Sequence, residues 1–188
     1  MKSIGSIILL MLLSGCAKQV ATISGLEFLH DRRVREVISE DKRIALEAEA
    51  KLNAFAELKD KMHVKVNVYN AKVLLTGEAE SQMVRDKIIA NIRIIKAVRL
   101  IYNEIEIVSV ASPQNQHEDL ILALEIKASL NELTGFSEID ETRVKVDVTN
   151  KNIYLMGLLR KEEGIAVAEK IQKIEKVRKI ITLFEYFK

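Results

Sequence analysis

Val64-Lys65-Val66-Asn67-Val68-Tyr69-Asn70 returns later in the chain as Val144-Lys145-Val146-Asp147-Val148-Thr149-Asn150. The first copy runs on through Val73-Leu74-Leu75-Thr76 to Gly77, the second through Ile153-Tyr154-Leu155-Met156 to Gly157, and the offset stays at 80 from the first valine to the glycine. A fixed offset held over this length marks an internal repeat. Each copy alternates β-branched and polar residues at period two, passes an Asn-containing turn, and enters a second apolar run. That pattern predicts a β-hairpin with a buried face, the asparagines suiting left-handed turn angles. A lone two-stranded hairpin is marginal in water, so flanking elements must cover it.

The flanks repeat as well. Ile44, Ala48, Leu52, Phe55 and Leu58 form an apolar stripe at steps of four and three. Leu122, Ile126, Leu130, Leu133 and Phe136 match them at an offset of 78. The spacing predicts a helix opened by Ser39-Glu40-Asp41 in the first copy and one from about Asp119 to Leu133 in the second. Behind each hairpin a further helix (from Ser81, with Val84, Ile88, Ile92 and Ile95 inward; from about Lys161 to Lys176) leads to a closing strand, Val98 to Ile107 and Val177 to Tyr186. The fold class is therefore α+β: two tandem α-β-β-α-β units, each a three-stranded mixed sheet packed on two helices. The segmentation reads 1–15 signal peptide, 16–38 tether, 39–108 first unit, 109–118 linker holding the chain's one proline, Pro113, and 119–188 second unit.

With 188 residues the chain suits two small domains, and its net charge of +2, with lysine and glutamate interleaved, gives no footprint for nucleic acid. The one cysteine excludes an internal disulfide. It follows Lys2, the apolar run Ile7 to Leu13, and Ser14-Gly15. The run is too short to span a bilayer and has the length of a signal-peptide core. Leu13-Ser14-Gly15-Cys16 resembles the bacterial lipoprotein signal, which implies cleavage before Cys16 and acylation of its sulfur. Ala17, rather than aspartate, follows it, so the expected location is the outer membrane, facing the periplasm. The basic stretch His30-Asp31-Arg32-Arg33-Val34-Arg35 reads either as a contact for anionic headgroups or as a solvated segment pairing with the first unit.

The strand pairs ending in Leu75-Thr76-Gly77 and Leu155-Met156-Gly157, the closing strands Val98 to Ile101 and Val177 to Ile180, and the matches Asp31-Arg32-Arg33 and Tyr102-Asn103-Glu104-Ile105 resemble the BON domain family. Two such domains behind a lipidated cysteine are similar to its dual-domain outer-membrane lipoproteins. One departure is that Ile95-Lys96-Ala97 and Glu175-Lys176 stand where the family often has a glycine. The resemblance implies binding of anionic phospholipid by the second domain, support of outer-membrane integrity, a place near division sites, and no catalysis or cofactor.

The helix faces opposite the core stripes point to the same element. Leu46, Glu49, Ala50, Asn53 and Glu57 make the first one mostly acidic, whereas Leu120, Ile121, Leu124, Lys127 and Ala128 make the second apolar with one flanking cation. The expectation is a lipid-binding face at those five residues, its aliphatics entering the acyl boundary and Lys127 meeting a phosphate. The rival is an envelope protein partner, or the first domain, on the same face. Lys170, Lys173, Lys176, Arg178 and Lys179 form a late cationic group that suits a helix C-terminus. No catalytic or metal site is expected. His30, His63 and His117 are isolated, the cysteine belongs to the lipid signal, and Asp140-Glu141 reads as a loop end.

Overall fold

The computed structural model describes residues 31–187 apart from 134, 137, 138 and 141. The expected signal peptide, Cys16, His30 and Glu141 lie outside the described residues. The first unit consists of α1 (Arg35–Asn53), β1 (Met62–Tyr69), β2 (Lys72–Ala79), α2 (Gln82–Arg93) and β3 (Leu100–Ile107). The second consists of α3 (Pro113–Leu130), β4 (Val144–Thr149), β5 (Asn152–Leu159), α4 (Lys161–Gln172) and β6 (Lys179–Tyr186). Sheet order is β1-β2-β3 and β4-β5-β6, antiparallel within each hairpin and parallel at the closing strand. This is the expected α+β architecture, with two three-stranded mixed sheets.

Alternation explains one face of each sheet. Val68, Val73 and Leu75 pack under Ile44, Ala48 and Leu52 of α1 and Val84, Ile88 and Ile92 of α2. Val148, Ile153 and Leu155 do the same beneath Leu122, Ile126, Val167 and Ile171. The opposite faces meet each other. Tyr69 and Leu74 from the first sheet are buried against Tyr154 and Met156 from the second, with Tyr102, Ile181 and Leu183 around them. The molecule is thus four layers, helix, sheet, sheet and helix. Central strands β2 and β5 are buried on both faces, which is why their sequences read as unbroken apolar runs rather than alternating ones.

The seam between the sheets is closed reciprocally. Asn70 in the first hairpin turn donates to Glu185 Oε1 at 3.1 Å, and its repeat mate Asn150 donates to Glu106 Oε2 at 2.9 Å. The Lys65 ammonium lies 2.8 Å from Asp147 and donates to the Val148 carbonyl, while Thr76 Oγ1 donates to Asp147 at 2.7 Å. The two halves therefore pack as an isologous pair would, the same face against itself about a pseudo-twofold axis.

Several boundaries differ from the expected ones. α1 starts at Arg35 rather than near Ser39, so Asp41 is no cap; it is buried within the helix. Its carboxylate instead accepts the Asn70 and Ala71 N–H groups, both at 2.7 Å, and Asp119 accepts those of Asn150 and Lys151 at 2.7 and 3.0 Å. The four turn residues have φ of 50, 59, 51 and 60°, so each turn carries two consecutive left-handed residues whose N–H groups need an acceptor. The expected linker over 109–118 is largely helix. Ser112 caps α3 through the Asn115 N–H at 3.2 Å, and Pro113 sits at the helix start, where a missing N–H costs nothing. Phe55, Leu58, Leu133 and Phe136 lie beyond the ends of their helices yet still pack on the two cores.

The basic stretch before α1 is not a free headgroup contact. Arg33 pairs with Asp31 at 2.7 Å and Asp41 at 2.5 Å while stacking 3.6 Å over Tyr69, within the first unit. Arg32 crosses to the second unit, making a two-pronged bond to Glu163 at 2.5 and 2.6 Å and lying 4.6 Å over Phe187. Adjacent arginines thus fasten the chain's entry point to both halves.

Candidate functional site

Because the sheets cover one another, the helices form the outer layers and α3 shows its outward side to solvent. Leu120, Ile121 and Leu124 are 56, 49 and 55 % exposed. Ala128 is exposed one turn further on, and Lys127 is half-buried beside it. The five residues named from the sequence share one side of one helix. They are not covered by the first unit, whose contact runs through the sheets instead.

The repeat supplies an internal control. At the same helical positions α1 carries Lys42 for Leu120, Arg43 for Ile121, Leu46 for Leu124 and Glu49 for Lys127. Arg43 bonds Glu40 at 2.8 Å and Glu47 at 3.0 Å, a solvated ladder along the helix, and Glu40 is held below the usual carboxylate range by that bond. Glu57, also assigned to this face, belongs to the turn after α1 and pairs with Lys87 at 2.6 Å. Two cations have thus been exchanged for aliphatics and one carboxylate for an ammonium, on a scaffold otherwise the same.

Beside Ile121 the surface dips into a groove of about 380 Å³ between the start of α3, the β4–β5 turn and the loop before β6. Ile121 and Leu122 line it together with His117, Glu118, Lys151 and Lys176. Lys151 is 3.3 Å from Glu118, whose carboxyl is held below its usual range by that hydrogen bond. By sequence Lys176 belongs to the late cationic group, and nothing there marks Lys151. The structure divides that group: Lys170 pairs with Glu132 at 3.1 Å, Arg178 approaches Glu106 at 3.9 Å, and Lys176 stands at the groove. The one available signal was the missing glycine, for Lys176 has a φ of 74°.

Among the described residues no group of three His, Cys, Asp or Glu side chains is placed to hold a metal ion, and no helix is long and apolar enough to cross a membrane. His63 lies 3.2 Å from Glu78, and Asp140 ends its loop by accepting the Thr142 N–H at 2.8 Å.

The family model of the BON domain matches residues 40–109 and again 118–186. The chain belongs to the BON domain family. Each match spans one α-β-β-α-β unit, so α3 is the first helix of the second BON domain. The chain is 26 % identical over 156 residues to the outer membrane lipoprotein DolP of Haemophilus influenzae, across 83 % of this chain and 79 % of that one. It is 30 % identical over 135 residues to a 21 kDa hemolysin of Actinobacillus pleuropneumoniae, across 72 % and 68 %. The C-terminal domain of CdsD, a structural protein of the Type III secretion system of Chlamydia trachomatis, overlaps 76 % of this chain and 96 % of its own at 12 % identity and a TM-score of 0.31, too loose a likeness to bear on function.

Proposed function

We propose that this BON protein is a lipid-anchored binding module of the outer membrane, held on the periplasmic side through acylated Cys16. Its second BON domain recognises anionic phospholipid through Leu120, Ile121, Leu124, Lys127 and Ala128 and so supports outer-membrane integrity, at division sites in particular. The observation that carries the reading is the exposure of Leu120, Ile121 and Leu124 where the first domain shows Lys42, Arg43 and Leu46. The name of the Haemophilus relative, an outer membrane lipoprotein, supports the location.

Each aliphatic side chain is about half exposed, so sinking it into the acyl boundary contributes about 1 kcal/mol. Three of them give a weak, reversible contact, which is enough for a protein already tethered. From Cys16 to Asp31 the chain can span at most about 50 Å, and a partner held that close has a high effective concentration. No step in this role calls for a catalytic residue.

The test is co-sedimentation of the unlipidated protein with vesicles, with and without phosphatidylglycerol, at two salt concentrations. Binding that needs the anionic lipid, weakens with salt and is lost in Leu124→Glu is the expected result. Undiminished binding of Leu124→Glu refutes the face. Retention only when cell extract is present transfers the face to a protein partner.

A further inference from the structure

The loop that joins α2 to β3 in the first domain sends its side chains two ways. Ile95, Ala97 and Val98 turn in to the core, whereas Arg93, Ile94, Lys96, Arg99 and Leu100 are all exposed, Ile94 by 65 % and Leu100 by 44 %. Among the described residues none of the three cations has a carboxylate partner. The dipole of α2 accounts for Arg93, in its last turn, but not for two bare aliphatics beside it.

The second domain again serves as the control. Aligned through Ile92 and Ile171, its loop carries Gln172 for Arg93, Lys173 for Ile94, Glu175 for Lys96 and Lys179 for Leu100. Arg178 matches Arg99, and the two backbone N–H groups make the same bond, to the Lys151 and Ala71 carbonyls, each at 2.8 Å. Their side chains differ. Arg178 approaches Glu106 across the seam at 3.9 Å, whereas the corresponding carboxylate, Glu185, is 3.2 Å from Lys72, which stands where the second domain has Asn152. Arg99 is thereby left to solvent. The first domain alone shows unpaired cations interleaved with exposed aliphatics.

We propose that this loop docks an acidic, partly apolar segment of a protein partner, its carboxylates meeting Arg93, Lys96 and Arg99 and its apolar side chains covering Ile94 and Leu100. The planar fork of arginine binds a carboxylate through two hydrogen bonds, and arginine is enriched where proteins meet. Position in the layers selects a protein over the bilayer. α2 lies in the outer layer opposite α3, beyond both sheets, and stacked sheets alone keep those layers about 10 Å apart, further than the screening length of about 8 Å at physiological salt. With α3 against lipid, the loop faces away from the bilayer. The choice of a protein rests on the proposed role of α3; the docking surface itself does not.

The unlipidated protein is titrated with a soluble synthetic peptide rich in glutamate and leucine, and with its counterpart in which serine replaces every leucine, while amide shifts are recorded. Affinities are measured for R93Q/K96Q/R99Q, for the control K59Q/K61Q/K161Q, whose lysines are also exposed, for I94S and for L124E. In a second arm, phosphatidylglycerol vesicles are added before the peptide.

The expected result is saturable shifts at Arg93, Ile94, Lys96, Arg99 and Leu100, an affinity that falls with salt, and about tenfold losses in R93Q/K96Q/R99Q, in I94S and on replacing the leucines of the peptide. K59Q/K61Q/K161Q and L124E should bind the peptide as the parent does, and vesicle-bound protein as well as free protein. Equal losses in the two triple variants, or no shifts at the loop, overturn the docking surface and leave α3 untouched. Displacement of the peptide from L124E by the vesicles would make the loop a lipid contact and overturn the choice of a protein. Vesicle binding unchanged in L124E, with the peptide bound as expected, upholds the docking surface and overturns the role of α3.

Discussion

Removing the carboxylates that hold the hairpin turns tests the account of the fold most directly. Asp119→Ala strips acceptors at 2.7 and 3.0 Å from two N–H groups, those of Asn150 and Lys151. Hydrogen bonds to a charged acceptor contribute about 1.5 kcal/mol or more each, so the expected loss is about 3 kcal/mol. Asp41→Ala removes two equivalent bonds and also deprives Arg33, whose side chain is 10 % exposed, of one of its two carboxylates. The Asp31 pair remains, so we add about 1 kcal/mol and expect about 4. Urea unfolding followed by far-UV circular dichroism gives these values from the midpoint at unchanged slope. In a protein of this size the thermal midpoint should drop by about 6–12 °C for Asp119→Ala. Asp60→Ala, an exposed aspartate, serves as the control and should change stability by less than about 0.5 kcal/mol. Losses below about 1 kcal/mol in both variants would mean that the left-handed turns hold themselves, and the assignment of Asp41 and Asp119 as their acceptors would be wrong.

Other expectations follow from single contacts. Gly77 has a φ of 122° and a Cβ built there would stand 1.9 Å from the His63 carbonyl oxygen, against 2.9 Å between Gly157 and the Arg143 oxygen. Gly77→Ala should therefore cost more than about 4 kcal/mol and Gly157→Ala clearly less, as thermal melts will rank them. Arg32 holds the Glu163 carboxyl below its usual range, so this pair stabilises the fold above the ordinary carboxyl pKa of about 4.3 and is lost as pH falls through the lower folded value. In Glu163→Gln the melting temperature should vary less with pH below about 4.5 than in the parent; an unchanged pH profile would rule out the linkage. Leu74→Asp places an unpaired charge in the seam between the sheets and should part the two domains while leaving each folded, seen as a larger radius of gyration in solution scattering with retained circular dichroism. A radius equal to the parent's would show that the seam tolerates the charge. Cys16→Ser should release the protein from membranes into the soluble fraction, and continued attachment would exclude lipidation as the anchor.

The repeat made most of the fold legible. Copies of Val-Lys-Val at a constant offset, and an apolar stripe recurring beside each, fix element order without any long-range information. What stayed hidden depends on contacts between elements far apart in sequence. Lys65, Asn67 and Tyr69 alternate as a solvent-facing row should, yet they face the other sheet; the only hint was that Leu74-Leu75 and Tyr154-Leu155-Met156 fail to alternate. Asp41 looked like a helix cap because aspartate serves both helix starts and turns, and Pro113 looked like a linker because proline also opens helices. On α3 the periodicity of one helix was enough to group Leu120, Ile121 and Leu124. It was not enough for the groove, whose lysines arrive from a hairpin turn and a loop dozens of positions downstream.

The adjacent arginines at the start of the described chain have a consequence for how the particle moves. Since Arg32 grips one half and Arg33 the other, any pull that reaches them from the chain ahead is shared between the domains instead of prising them apart. The two domains should therefore turn as one rigid body, with α1 on one flank and α3 on the other.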